Sequence, residues 1–98
     1  MAVGDTVSYG DDAVTSNGTF DIQPSAGVEV LVQQIEAQSA KAAEVYRTAD
    51  GTNFTLIDSL PNGGSMTGLY RCTNTFWLRL KNVSGGDAGL YAAGVQTK

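Results

Sequence analysis

Glu44-Val45-Tyr46-Arg47-Thr48-Ala49-Asp50-Gly51-Thr52-Asn53-Phe54-Thr55-Leu56-Ile57-Asp58-Ser59 is the stretch that decides the fold. Asp-Gly supplies the positive backbone φ of a tight turn, and β-branched, aromatic and other apolar residues flank it on both sides. The segment therefore reads as a β-hairpin: Glu44 to Arg47, a turn over Thr48 to Thr52, then Asn53 to Ser59. Two further signals of this kind, Asn17-Gly18 and Asn62-Gly63, cut the rest of the 98-residue chain into short runs rich in Val, Thr, Tyr, Phe and Ile. Such punctuation predicts an all-β chain.

Working outward, Leu60-Pro61-Asn62-Gly63-Gly64-Ser65 reads as a loop, because proline cannot donate to a ladder and glycines weaken a strand. A second hairpin is expected after it, closed by Thr73-Asn74-Thr75, with Arg71 facing Trp77 and Leu69 facing Arg79. Alternation would then put Tyr70, Cys72, Phe76, Leu78 and Leu80 on one face. The other face would carry Leu69, Arg71, Trp77, Arg79 and Lys81. The last strand is Leu90 to Gln96, entered through Ser84-Gly85-Gly86.

Towards the start, Thr6 to Tyr9 predicts a short strand followed by an acidic loop at Gly10-Asp11-Asp12, and residues 1–18 read as a loosely ordered arm. Thr19 to Gln23 alternates with Phe20 and Ile22 on one face and is expected to form a hairpin with Val28 to Val32. Ile35 falls out of step with Val28, Val30 and Val32, which demands either a bulge near Gln33-Gln34 or burial of both faces. Val28, Leu31, Val32, Ile35, Ser39, Ala42 and Tyr46 also fit helical spacing, so helix within Val28 to Tyr46 stays open. Strands are preferred, since three alternating valines open the segment and a strand must precede the Asp50-Gly51 turn. Seven or eight short strands in one small domain predict a two-layer antiparallel β-sandwich, of which a jelly roll is one form.

Composition narrows the function classes. Six basic against ten acidic residues leave a net charge of −4, the wrong sign for a surface that binds nucleic acid by displacing counterions. With no histidine and one cysteine, the chain has no usual zinc or copper ligand set, no common general base and no internal disulfide. No cofactor is expected. The start has neither a basic n-region nor an apolar run, and nowhere do 18 apolar residues follow one another, so neither a signal peptide nor a membrane-spanning helix is predicted. The triplets beginning at Asn17, Asn53 and Asn82 match the glycosylation pattern but read as accidents of an Asn- and Thr-rich chain.

Among residues with side chains that can carry chemistry, Asp5, Asp11, Asp12 and Asp21 would suit a hard cation only if folding gathered them, and no Asp-x-Asp-x-Asp-Gly loop is present. A solvated acidic loop is the simpler expectation. Cys72 lacks a histidine partner and reads as a buried thiol, although Arg71 beside it would lower its pKa. No two carboxylates are spaced for acid and base work, so an enzyme is not expected. The candidate working surface is Trp77 with Arg71 and Arg79, residue types enriched where proteins bind partners. The competing structural reading makes Trp77 a packed residue with a cation–π neighbour.

Val45-Tyr46-Arg47, Asp50-Gly51-Thr52-Asn53-Phe54, Trp77-Leu78-Arg79-Leu80-Lys81-Asn82-Val83-Ser84-Gly85 and Gly94-Val95-Gln96-Thr97-Lys98 together resemble small virion proteins of tailed bacteriophages, namely head decoration or cement proteins. The resemblance spans Glu44 to Lys98, and no functional motif of those proteins matches a residue here. It implies a protein made in the host cytoplasm that sits on the capsid exterior, commonly as a homotrimer, and clamps neighbouring copies of the major capsid protein. Arg71, Trp77 and Arg79 would then form the partner interface. The alternatives are a tail, neck or fibre-attachment component, or a small carbohydrate-binding module that uses Trp77 as its platform.

Overall fold

In the computed structural model, which describes residues 3–98, every regular element is a strand. They are β1 (Thr6–Val14), β2 (Thr19–Ile22), β3 (Val30–Ala37), β4 (Ala43–Thr48), β5 (Thr55–Leu60), β6 (Gly64–Cys72), β7 (Trp77–Asn82) and β8 (Ala88–Gln96). The deciding hairpin forms as read: β4 pairs antiparallel with β5, with Tyr46 opposite Leu56 and Arg47 opposite Thr55. Its Gly51 has φ of 75°, Asn17 has 62° and Gly63 has 73°, so all three turn signals sit where a left-handed residue is required.

The strands make two four-stranded antiparallel sheets, ordered β1-β8-β3-β6 and β2-β7-β4-β5. Only β4 and β5 are consecutive strands paired in one sheet. Every other connection carries the chain across to the opposite layer, which is the wiring of a jelly roll. The sandwich is filled by alternate residues: Val30, Val32, Ile35, Cys72, Leu90 and Ala92 from the first sheet against Ile22, Val45, Leu78 and Leu80 from the second, all essentially inaccessible.

Val28 to Tyr46 contains no helix. The parity break at Ile35 is a bulge in β3, where the register slips between Val32 and Gln34 against both β6 and β8. Val30, Val32, Ile35 and Ala37 are thereby all turned inward despite being out of step.

Three expectations are corrected. The Thr19 to Gln23 segment does not pair with the valine strand: β2 lies on β7, while β3 lies between β6 and β8. Nor do β6 and β7 form a hairpin. Their connection is a tight turn, with Thr73 N donating to Phe76 O at 2.7 Å, but it bridges the two layers. Both strands send the same alternate residues into the sandwich, so their inward parity matches that of a hairpin without the pairing. Finally, the acidic segment is not a loop: β1 runs through Gly10, Asp11 and Asp12 to Val14, paired on β8, with a bulge between Asp11 and Val14. Of the expected loose arm, Met1 and Ala2 lie outside the described residues.

Candidate interaction surface

Trp77 opens β7 on the outer face of the second sheet, opposite Thr48, a position that alternation marks as solvent-facing. It is nevertheless only 5% exposed. The β4–β5 loop folds back over it: the Phe54 ring meets the indole edge-on at 5.7 Å, and Gly51 lies close enough that an added Cβ would touch the indole at 3.8 Å. Asp50 holds this roof in place. Its carboxylate accepts hydrogen bonds from the backbone N–H groups of Thr52 and Asn53 and from Asn53 Nδ2, each at 2.8 Å. Those donors hold the Asp50 carboxyl well below the usual carboxylate range, the backbone N–H of Asn53 contributing most. Thr48 Oγ1, itself buried, accepts from Gly51 N at 2.8 Å and closes the turn.

Arg79 continues the roof. Its Nε donates to Asp21 Oδ1 at 2.7 Å and its Nη2 to Asp21 Oδ2 at 3.0 Å, a two-pronged grip across the β2–β7 pair. The guanidinium lies 4.1 Å over the Phe54 ring and 5.5 Å from the Trp77 ring. What this face offers to a partner is a shallow groove of about 310 Å³ lined by Asn17, Thr19, Tyr46, Phe54, Arg79 and Lys81. Tyr46 donates to Glu44 Oε1 at 2.6 Å, which raises the phenol's pKa.

Arg71 is elsewhere. It sits on β6, at the edge of the other sheet, and its Nε donates to Glu29, whose carboxylate also accepts from Thr97 Oγ1 at 3.0 Å. Arg79 and Trp77 are thus one cluster, and Arg71 belongs to a second. Sequence alternation missed Phe54 as the roofing residue and Asp21 as the arginine's partner, because both contacts join segments far apart in the chain.

The four aspartates are dispersed over structural roles. Asp12 accepts from Tyr91 OH at 2.6 Å, Asp11 caps Ala13 N at 3.0 Å, Asp21 holds Arg79, and the Asp5 carbonyl accepts from Gln96 N at 2.9 Å. Among the described residues, no three metal-ligating side chains gather. Cys72 is fully buried in the sandwich, and burial pushes its thiol up to about 11. The cation that acts on it is Arg47, not its neighbour Arg71.

Two of the four edge strands, β5 and β6, expose Leu56 at 50%, Ile57 at 38% and Leu69 at 74%, while Val3 before β1 and Val83 after β7 are exposed as well. Beside β5 opens a groove of about 420 Å³ whose lining includes Arg47, Thr55, Ile57 and Phe76, with the Arg47 guanidinium stacked 4.3 Å over the Phe76 ring.

No protein-family model matches the sequence, and no curated protein matches it. Among solved structures, the chain is similar to the Drosophila NLP-core, a crystal structure described as giving insight into pentamer formation and histone binding. The two share 16% sequence identity at a TM-score of 0.57, over 94% of this chain and 99% of that one. At that identity the likeness is one of fold: an eight-stranded, two-layer β-sandwich.

Proposed function

We propose that this chain is a non-enzymatic structural protein of a tailed-bacteriophage particle, which docks as a homo-oligomer on the outer surface of the capsid and stabilises the head. The observation that carries the reading is the exposure of Leu56, Ile57 and Leu69 on β5 and β6, edge strands of a sandwich with a fully buried core. The resemblance over Glu44 to Lys98 supplies the setting. A small sandwich of this kind acts mechanically: many copies, each making modest contacts to several capsid subunits, bind avidly because each contact raises the effective concentration of the next. Trp77 serves this role from beneath, by anchoring the Asp50 to Phe54 roof that shapes the outer face. A carbohydrate platform would have to be built on Tyr46 and Phe54 instead, since the indole face is covered.

Fractionating a particle-producing lysate on a density gradient, with this chain quantified against the major capsid protein, tests the proposal. Co-sedimentation with intact heads at a copy number comparable to that of the capsid protein is expected. A few copies per particle would point to a tail or neck position, and recovery only among free proteins would overturn the virion reading.

A second reading is favoured by one feature, the exposed Asp11-Asp12 pair on edge strand β1 of a chain with net charge −4. An oligomer presenting several such edges would attract a basic protein partner. Salt-sensitive binding to a lysine-rich polypeptide, lost in Asp11→Asn with Asp12→Asn, is the expected signature.

A further inference from the structure

Taking a cation partly out of water costs energy, and a counter-ion is the usual compensation. Two of the three arginines here have one: Arg71 is bridged to Glu29 and Arg79 to Asp21. Arg47 differs. Half-buried on β4, it has no carboxylate at ion-pair distance among the described residues, and its side chain donates a single long hydrogen bond, from Nη1 to the Arg71 carbonyl at 3.3 Å. What holds it is Phe76, over whose ring the guanidinium lies at 4.3 Å. Stacking occupies the flat face of a guanidinium and spares its N–H edge, through which arginine grips a carboxylate by two parallel hydrogen bonds.

Arg47 lines the groove of about 420 Å³ beside β5, a volume within the range of about 300–1,000 Å³ typical of small-ligand sites. Ala49, Ile57 and Phe76 give this groove apolar walls, and Ile57 is 38% exposed. Asp50 also lines it, but its carboxylate is taken up by its own loop, accepting from Thr52 N, Asn53 N, Asn53 Nδ2 and Thr48 Oγ1.

We propose that this groove binds a small monocarboxylic acid with an apolar body, its carboxylate held edge-on by Arg47 and its hydrocarbon part laid against Ile57 and Phe76. Each part of the ligand answers an observation. The guanidinium without a counter-ion calls for an anion. Apolar walls strengthen that pair relative to one in open water, and they favour a hydrocarbon over a bare ion. The Asp50 charge in the same lining opposes a second negative charge, so phosphate or a dicarboxylate fits less well. The proposal does not rest on the capsid reading.

Isothermal titration of the full chain with phenylacetate tests it, beside phenylacetamide, which lacks the charge, and acetate, which lacks the body. Saturable one-to-one binding of phenylacetate is expected, with each of the others weaker by about tenfold or more. Arg47→Lys keeps the charge without the fork and should weaken binding; Arg47→Met should abolish it. Because Arg47 also packs on Phe76, Ile57→Glu supplies a second variant that leaves this stack in place. It puts a competing carboxylate at an exposed position of the groove, and should abolish binding while the far-UV spectrum and melting temperature stay native. Lys81→Met, in the groove beside Tyr46, should leave binding intact. Absence of saturable binding, equal binding of phenylacetamide, inorganic phosphate bound as tightly as phenylacetate, or binding that survives both Arg47→Met and Ile57→Glu would overturn the proposal. So would a peptide ending in phenylalanine bound far more tightly than the free acid, which would assign the groove to a chain end.

Discussion

The side-chain amide of Asn82 donates to the carbonyl of Val14, 68 residues earlier in the chain, at 2.8 Å. The same nitrogen donates to Gly86 O at 2.8 Å, and Asn82 Oδ1 accepts from Ser84 N at 2.9 Å and from Ser84 Oγ at 2.6 Å. One fully buried amide thus ties the end of β1 to the β7–β8 turn.

Asn82→Ala is therefore expected to cost about 1–3 kcal/mol, since it takes away the donor of the buried bond to the Val14 carbonyl. Urea denaturation with an unchanged m-value would measure it. A loss within experimental error of zero would mean that the amide is dispensable. Its burial also removes Asn82 as a glycosylation acceptor in the folded chain.

Backbone conformation gives a pair of opposite predictions. Ala40, in the β3–β4 connection, has φ of 65°, a left-handed conformation that its Cβ resists. Ala40→Gly should stabilise the fold by about 0.5–1 kcal/mol despite the greater freedom of glycine when unfolded. Gly94 faces the β3 bulge, where an added Cβ would run into the Leu31 carbonyl and lie 2.9 Å from Val32 Cα. Gly94→Ala should cost about 1–3 kcal/mol, as overpacking against backbone usually does. Melting temperatures that move in the same direction for both would refute this account.

At acid pH the roof over Trp77 should persist. Asp50 has a folded pKa below its ordinary value of about 4, so its contribution is complete above the usual carboxylate range. That contribution is lost only as pH falls through the lower folded value. Emission from the single tryptophan should stay blue-shifted well into acid solution in the natural chain. It should shift red at neutral pH in Asp50→Ala, where the loop loses its acceptor. Identical emission in the two would show that packing by Phe54 and Arg79 suffices.

Alkaline solution should act in the opposite sense. Cys72 is raised to about 11 by burial, Tyr9 and Tyr70 are raised mainly by burial, and Tyr46 and Tyr91 by donating to Glu44 and Asp12. In each case the folded state favours the protonated form. Stability is therefore full below the unfolded pKa values and declines as pH rises through and beyond them. Tyrosinate absorbance should appear together with unfolding, and a thiol reagent should modify Cys72 only at the rate at which the chain opens. Rapid labelling of Cys72 in the native protein at neutral pH would contradict its burial.

Trp77→Ala should cost about 3–5 kcal/mol, the range for removing a large buried aromatic. A cost below about 1 kcal/mol would return Trp77 to the list of exposed contact residues.

What the sequence determined by itself was local. Asp50-Gly51, Asn62-Gly63 and Asn17-Gly18 require backbone conformations that few other dipeptides adopt, so the turns, the all-β class and the β4–β5 hairpin were legible. The parity break at Ile35 likewise narrowed β3 to a bulge or to burial of both faces, and the structure has the bulge. Tertiary structure decided everything that depends on which strand lies beside which. The alternation of β6 and β7 was read correctly as inward and outward faces. But any inward-facing strand satisfies that pattern in either layer, and only the competition for partners sent β7 to β2 and β4 and left β6 at an edge. That choice parted Arg71 from Arg79, brought Asp21 to Arg79 across 58 residues and laid the Phe54 loop over Trp77. Period-two alternation records which face a side chain takes, whereas what covers that face depends on contacts between segments distant in sequence.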